Sequence, residues 1–193
     1  MSDLERLLKD LDTSPSEDLE RRTLITAGAA DQVVRTDSPI GDVWIAWSPR
    51  GITGLTPRFA AGTIEAFLEA HRRTAYGADT LPTDLADAVD RGLSDGETIG
   101  LPIDYSGIAP FQASVLRACA TIPPGAVRPY GWIADEIHNP GSVRAVGSAL
   151  GKNPIPLLVP CHRVVRSDGS VGNYAFGPDI KHQLLVREGA ILT

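Results

Sequence analysis

Between residues 32 and 55, the pattern of apolar and polar positions is typical of short strands. Runs of strand-forming residues at 33–36, 43–47 and 52–55 are separated by turn sequences rich in glycine, proline and serine. This pattern predicts a hairpin that continues into a third strand. Helical spacing follows at 63–73 and 83–93, so this part is predicted to be a small α/β unit.

The first 30 residues have a different pattern. Leucines at 4, 7, 8 and 11 have helical spacing, and a polar stretch follows at 12–18. This indicates a short amphipathic helix and then a linker or a second helix. Such a segment can bind a protein partner, dock on the rest of the chain or fray in solvent, and the sequence leaves these alternatives open.

From residue 105 onwards the apolar positions have helical spacing. Phe111, Val115, Leu116 and Cys119 fall on one stripe of a helix, so Cys119 is predicted to pack in a core. The final helix is predicted to begin at Pro178 and to end before Gly189.

Two short helices between these elements make a helix-turn-helix candidate. They are predicted at 130–138 and 143–150, with Ser142 as the N-cap of the second helix and Gly151 closing it. The second helix is rich in small residues. Another backbone can therefore approach it closely, and this backbone can be DNA or a neighbouring helix.

Composition and charge narrow the class of protein. The net charge is −6, but residues 1–110 carry a formal balance of −9 and residues 111–193 one of +3, so the second part could face phosphates. No apolar run is long enough to span a membrane and the charged start is not a signal peptide, so we expect a cytoplasmic protein. Two cysteines and four scattered histidines show no metal-ligand spacing, and no metal is predicted.

The strongest chemical signal is the run Pro160-Cys161-His162-Arg163, which ends the apolar stretch 155–159. A strand is predicted to deliver Cys161 into a turn beside two cationic side chains. Such neighbours lower a thiol pKa, and the thiolate is the nucleophile. A free cysteine is more often a small buried hydrophobe, but these neighbours favour a nucleophile here.

His162 and Glu188 are candidates for activating that thiol. Adjacent side chains point in different directions, so we expect a water relay between Cys161 and His162 and no direct hydrogen bond. Glu188 lies at the C-terminal end of the last helix, where the helix dipole disfavours a carboxylate unless a partner such as histidine offsets it. Glu188 can orient the imidazole or be an ordinary exposed helix end, and both readings stay open.

Together these residues resemble a known family. The chain carries the set Tyr130, Arg144, Asn153, Pro160-Cys161-His162-Arg163, Tyr174 and Glu188. This set resembles the signature of the O6-alkylguanine-DNA alkyltransferases, also called methylated-DNA–protein-cysteine methyltransferases. The resemblance is contiguous over 111–193, where the run Asn-Pro-x-Pro-x-x-x-Pro-Cys-His-Arg-Val is highly specific, and it is faint over 32–95. It implies an N-terminal ribonuclease-H-like α/β domain at 31–104, after an extension at 1–30, and a mostly helical domain with a helix-turn-helix at 105–193.

The resemblance also implies a reaction and site residues. Cys161 would accept the alkyl group of O6-alkylguanine in a single turnover without any cofactor, activated through water by His162, which Glu188 orients. Tyr130 would assist the leaving guanine, and Asn153 would tie the second short helix to the cysteine segment. The guanine pocket would be formed by Val164, Tyr174 and Ala175.

The implied partner is double-stranded DNA that contains O6-alkylguanine. Arg144 would fill the space that the flipped nucleotide leaves in the stack. The other residues implied at the DNA surface are Tyr130, Ser142, Val143, Ala145 and Gly147.

Two alternative functions are considered beside this one. The first is a DNA-binding protein that recognises alkylation lesions without repairing them, and the presence of Cys161 disfavours it. The second is a cysteine hydrolase, which leaves Tyr130 and Arg144 without a role.

Overall fold

The computed structural model describes residues 16–191. The leucine pattern at 4–11 and the first part of the polar stretch, 12–15, lie outside them. The first part of the described chain contains helices and strands in mixed order: α1 (Glu17–Thr26), β1 (Asp31–Thr36), β2 (Val43–Ser48), β3 (Gly51–Pro57), α2 (Arg58–Ala61), α3 (Ile64–Ala70), β4 (Ala75–Gly77) and α4 (Thr83–Ser94).

The four strands form one sheet in the order β3-β2-β1-β4. Neighbours β1, β2 and β3 are antiparallel, with Val34 opposite Ile45 and Ile45 opposite Leu55, whereas β4 runs parallel to β1. The three predicted strands and the two predicted helices are confirmed. β4 was not predicted, because three residues are too few to show a strand period.

The second part of the described chain is mostly helical. Its elements are α5 (Pro110–Ala120), β5 (Arg128–Pro129), α6 (Tyr130–Glu136), α7 (Val143–Leu150), β6 (Val164–Val165) and α8 (Pro178–Arg187), with short 3-10 helices at Pro140–Ser142 and Cys161–Arg163. The short strands β5 and β6 pair in parallel, with Arg128 opposite Val164. Both predicted short helices and the final helix are confirmed.

One hydrophobic cluster joins the two parts. Buried side chains of the sheet, such as Ile45 and Ile52, belong to the same cluster as Leu116 of α5 and Leu158 of the segment before Cys161. Cys119 is fully buried in this cluster, as predicted. The shared core holds the sheet against the segment that carries the cysteine.

The prediction of a strand that leads into Cys161 is wrong. Residues 151–160 form an irregular loop in which Leu157 has a φ of 72°. Prolines at 154, 156 and 160 have no backbone N–H for a strand ladder, and this explains the difference. Cys161 instead opens a 3-10 helix.

The start of α7 also differs in detail from the prediction. Ser142 occupies the N-cap position, but its side chain makes no capping bond. Its hydroxyl instead donates to the carbonyl of Asn139 over 2.7 Å, because the preceding 3-10 helix leads directly into α7. Gly151 follows the last residue of α7 in a right-handed conformation, with a φ of −64°.

Across residues 16–191, no helix combines the length and the apolar character that a membrane crossing requires. The same residues contain no group of three or more His, Cys, Asp or Glu side chains that could hold a metal ion.

Candidate active site

Asn153 fixes the position of the Cys161 thiol. Its amide nitrogen donates to the carbonyl of Val159 over 2.9 Å and to Cys161 Sγ over 3.2 Å. Its amide oxygen accepts a hydrogen bond from the backbone N–H of Ile155. Asn153 therefore links the end of α7 to both sides of the cysteine-bearing segment.

The environment of Cys161 favours a thiol at rest. Burial raises the thiol pKa, and it outweighs the hydrogen bond from Asn153 and the positive charge of Lys181, which both lower it. Only 7% of Cys161 is exposed to water, and this burial has a larger effect on the thiol pKa than the nearby positive charge. A base has to remove the proton when the thiol reacts.

His162 is placed to be that base. Its Nε2 lies 2.9 Å from Glu188 Oε1. An ionised carboxylate only accepts hydrogen bonds, so Nε2 carries the proton and Nδ1 is left with its lone pair. Nδ1 is buried and makes no hydrogen bond to any residue that the structure describes. Within residues 16–191, no hydrogen bond joins His162 to Cys161.

Glu188 is shared between His162 and Arg163. Arg163 Nε lies 2.8 Å from Oε2 and Nη2 lies 2.9 Å from Oε1. Burial raises the pKa of Glu188, but the hydrogen bonds from the two partners prevail and lower it to about 2. Burial lowers the pKa of His162 below its ordinary value despite Glu188, so the imidazole is neutral near pH 7.

Arg163 supports this pair from inside the protein. Its side chain is fully buried, and it also donates to the carbonyls of Ile122 and Gly96, both over 2.6 Å. Sequence reasoning considered Arg163 only as a charge beside the thiol. Its structural role depends on carbonyls that lie 41 and 67 residues away in the chain, which no local pattern reveals.

Lys181 is a site residue that sequence reasoning missed. It is fully buried, and its ammonium donates to the carbonyl of Val164 over 2.6 Å. Burial lowers its pKa to about 8. The available signal was its position on the buried stripe of α8 together with Leu184 and Leu185, where a lysine is unusual.

A cavity of about 190 Å³ opens onto the thiol. Residues from four separate segments line it, among them Tyr130, Gly147, Cys161, Tyr174 and Ala175. Another cavity of about 280 Å³ lies beside His162 and Glu188 on the side of α4, but Cys161 does not line it. The smaller cavity is therefore the candidate substrate site, because a substrate there can reach the sulfur.

The predicted pocket residues are only partly brought together. Tyr174 and Ala175 line the cavity, but Val164 does not. The side chain of Val164 is fully buried in the core, and its carbonyl accepts the hydrogen bond from Lys181. Burial raises the pKa of Tyr130 and of Tyr174, so both hydroxyls stay protonated at neutral pH and can donate hydrogen bonds.

The predicted DNA-contacting residues of α7 lie on its exposed side. Val143, Arg144 and Ala145 are exposed, Ser142 and Gly147 are half-buried, and Val146 packs in the core. Gly147 is also where α7 meets Tyr130, since a Cβ at this position would lie 3.9 Å from the ring. The helix thus places a solvent-facing surface next to the mouth of the cavity.

In chemical terms, the site combines a nucleophile, a base and hydrogen-bond donors. A neutral imidazole, oriented by an ionised carboxylate, is available to take the proton of Cys161. Tyr130 lines the same cavity, and its protonated hydroxyl can donate a hydrogen bond to a leaving group. This arrangement supports the transfer of a group from a small substrate to sulfur.

Comparisons with known proteins agree with this chemistry. Residues 110–190 match the family model described as 6-O-methylguanine DNA methyltransferase, DNA binding domain. The chain is 39% identical over 156 residues to a methylated-DNA–protein-cysteine methyltransferase of Mycolicibacterium paratuberculosis, which covers 79% of this chain and 88% of the relative. It is also 37% identical over 159 residues to the bifunctional transcriptional activator and DNA repair enzyme Ada of Escherichia coli, and this match covers 79% of the chain but only 44% of Ada.

Solved structures give the same result. The crystal structure of Mycobacterium tuberculosis OGT in complex with DNA superposes with a TM-score of 0.66 and 32% identity, over 83% of this chain and 93% of that one. The mixed α/β architecture is therefore shared. On the combined evidence of the site, the sequence matches and the fold, the chain belongs to the methylated-DNA–protein-cysteine methyltransferase family of DNA-repair proteins.

Proposed function

We propose that this chain repairs O6-alkylguanine in double-stranded DNA by moving the alkyl group onto Cys161. The observation that carries the proposal is the position of the Cys161 sulfur in the wall of a 190 Å³ cavity, with a neutral histidine held by Glu188 next to it in the chain. The family resemblance supplies the substrate class, and the geometry supplies a nucleophile that can reach it.

The reaction is a displacement at the alkyl carbon. His162 takes the thiol proton at Nδ1 through a water molecule, and the thiolate forms a bond to the carbon. The bond between this carbon and O6 breaks, and its electron pair stays on guanine, which the Tyr130 hydroxyl stabilises by donating a hydrogen bond. The guanine is then neutralised by the proton that left the thiol through His162, so that His162 and Tyr130 end in their starting protonation states. The thioether product has no easy hydrolytic route back to the thiol, so each molecule reacts once and needs no cofactor.

The remaining pocket residues position the reactants. Asn153 holds the sulfur towards the cavity through its 3.2 Å hydrogen bond. Tyr174 packs against the guanine ring and Ala175 borders it. Val164 contributes through its backbone carbonyl only, and this carbonyl already accepts from Lys181.

DNA contacts the exposed side of α7, with α6 and α7 acting as a helix-turn-helix. Arg144 enters the base stack and stabilises the flipped nucleotide. The other contacts come from Tyr130, Ser142, Val143, Ala145 and Gly147.

We also propose a division of the chain into domains. Residues 31–104, which contain the sheet, form a ribonuclease-H-like domain, and residues 105–193 form the alkyl-acceptor domain. Residues 1–30 are an extension that is open to a protein partner.

Intact-protein and peptide mass spectrometry test the proposed function. The protein is mixed with a duplex that contains one O6-methylguanine. We expect one added methyl group per molecule, located on Cys161. Cys161→Ser should bind the duplex and accept nothing, because a hydroxyl ionises far less readily than a thiol. Cys119→Ser is the matched control, because Cys119 is also a buried free cysteine. This substitution should leave the transfer unchanged.

Two results would contradict the proposal. The first is sustained turnover, which would indicate a hydrolase. The second is a methyl group on Cys119 with Cys161 unmodified. Binding to the damaged duplex without any transfer would support the alternative of a protein that recognises lesions but does not repair them.

A further inference from the structure

A row of aromatic rings leads from the surface of the first part of the chain to the active site. Phe59 meets Phe176 edge to face with 5.6 Å between ring centres, and Phe176 meets Tyr174 in the same way at 5.4 Å. Tyr174 in turn contacts His162, with 6.4 Å between ring centres. These separations are those of favourable aromatic pairs.

We propose that Phe59 is a specificity-determining residue, which limits the size of the alkyl group that the cavity accepts by holding the loop 172–177 in place. The proposal rests on the proposed function and adds a selectivity to it. Phe59 touches neither the cavity nor the reacting atoms, so it acts through Phe176.

Phe59 is a fixed point against which the loop can pack. It lies on the four-residue helix α2, directly after β3. The backbone N–H of Arg58 donates to the carbonyl of Asp42 over 2.8 Å, and the two side chains form an ion pair at 3.2 Å. Phe59 is 57% exposed, and its ring packs edge to face against Phe176.

The loop 172–177 has the features of a movable wall. Gly172 and Gly177 bound it with φ values of 70° and 93°, and this conformation favours glycine. Tyr174 and Ala175 line the cavity, and Phe176 between them and Gly177 contacts Phe59. A shift of Phe176 therefore moves the cavity wall.

The size of the cavity makes this wall relevant to selectivity. A volume of about 190 Å³ is below the roughly 300–1,000 Å³ of sites for drug-sized ligands. A guanine with a small alkyl group suits such a space, whereas a benzyl group requires the loop to move outward. The contact between Phe59 and Phe176 opposes that movement.

Single-turnover kinetics with two duplexes test this inference. One duplex carries O6-methylguanine and the other O6-benzylguanine, and alkylation of Cys161 is followed by mass spectrometry. We expect Phe59→Ala to raise the benzyl-to-methyl ratio of rate constants by about two- to tenfold, the equivalent of one aromatic pair. The methyl rate constant should stay within about twofold of wild type. Ile99→Ala is the matched control, because Ile99 is also 57% exposed and should leave the ratio unchanged.

Two further variants distinguish an effect through the loop from other effects. Phe59→Tyr keeps the ring and should retain the wild-type ratio. Phe176→Ala should raise the ratio, and the double variant of Phe59 and Phe176 should add nothing to it. An unchanged ratio in Phe59→Ala, an equal fall of both rate constants, or a loss of duplex binding alone would each overturn the role of Phe59. Failure of the wild-type protein to methylate Cys161 would instead contradict the proposed function.

Discussion

At Cys161, burial and hydrogen bonding act on the thiol in opposite directions. Burial raises its pKa, and the hydrogen bond from Asn153 and the positive charge of Lys181 reduce this rise without cancelling it. The thiol is therefore protonated at rest, and its reactivity depends on the protonation of His162. The neutral form of His162 is the proposed base, so the transfer rate should follow the titration of this imidazole.

The first prediction concerns this pH dependence. Because burial lowers the pKa of His162 below its ordinary value of about 6.5, the imidazole is neutral above that pH and charged well below it. The rate constant should be level around pH 7 and fall by about tenfold per pH unit under acid conditions. Single-turnover measurements from pH 5 to 8 check this expectation.

Glu188→Gln should shift this pH profile. The substitution removes the carboxylate that raises the pKa of His162, so the acid limb should move to lower pH and the rate should fall. Glu136→Gln is matched to it, because Glu136 also ends a helix but is exposed. A limb centred above pH 7 in the wild-type protein would argue against His162 as the base.

At the scale of elements, the turn after α4 supports the active site from outside the helical part. The carbonyl of Gly96 accepts from Arg163, and the carbonyl of Ser94 accepts from Arg187 over 2.8 Å. Gly96 has a φ of 73°, and a Cβ at this position would lie 2.7 Å from Arg163 Nη2 and 2.8 Å from Glu188 Oε1. The turn can therefore approach the buried ion pair only with a glycine.

The second prediction follows from this close approach. Gly96→Ala should destabilise the fold and slow the transfer, because the new methyl group displaces Arg163 and Glu188. Gly100→Ala is the matched control: Gly100 has a φ of 80°, but nothing lies within 4 Å of its Cβ position. The control pays only the backbone cost of about 1 kcal/mol. Gly96→Ala should cost about 1–3 kcal/mol more, because its methyl group overpacks the buried side chains of Arg163 and Glu188 and forces them to shift.

Urea denaturation and single-turnover rates measure both effects. Equal losses of stability in the two variants, with equal transfer rates, would show that the Gly96 turn does not support the catalytic pair. A loss of rate confined to Gly96→Ala is the expected result.

At the scale of the whole molecule, the sheet and the helical part form one unit around a shared core. The backbone N–H of Leu55 in β3 donates to the carbonyl of Pro154, which lies in the loop before Cys161. The segment after α1 is also tied to the sheet side, since the carbonyl of Gly28 accepts from Arg50 over 3.4 Å and from Arg73. Ala30 is fully buried.

The third prediction concerns the first 30 residues. Deleting residues 1–30 should leave alkyl transfer intact, because no proposed site residue lies there. It should lower the melting temperature by about 4 °C or more, since losing the two hydrogen bonds of Gly28 costs about 1 kcal/mol each. Deleting only residues 1–15 removes none of these contacts and should have a smaller effect. Loss of transfer by a folded protein without residues 1–30 would contradict the expectation.

Much of the fold and the site could be predicted from local patterns. The strands at 33–36, 43–47 and 52–55 and the helices of the second part were recognisable because their apolar periods repeat over several residues. The Pro-Cys-His-Arg run and Glu188 pointed to the reactive centre, and the family resemblance is confirmed. These features depend on residue type and short-range spacing, which a sequence displays directly.

Only the tertiary structure decided how these residues act together. Burial raises the thiol pKa of Cys161. Hydrogen bonds from His162 and Arg163 lower the pKa of Glu188 in spite of its burial. The predicted strand before Cys161 became a loop because its prolines cannot complete a ladder. The roles of Lys181, Arg163 and the Gly96 carbonyl depend on contacts across 17 and 67 residues, and such contacts exist only once the core has closed.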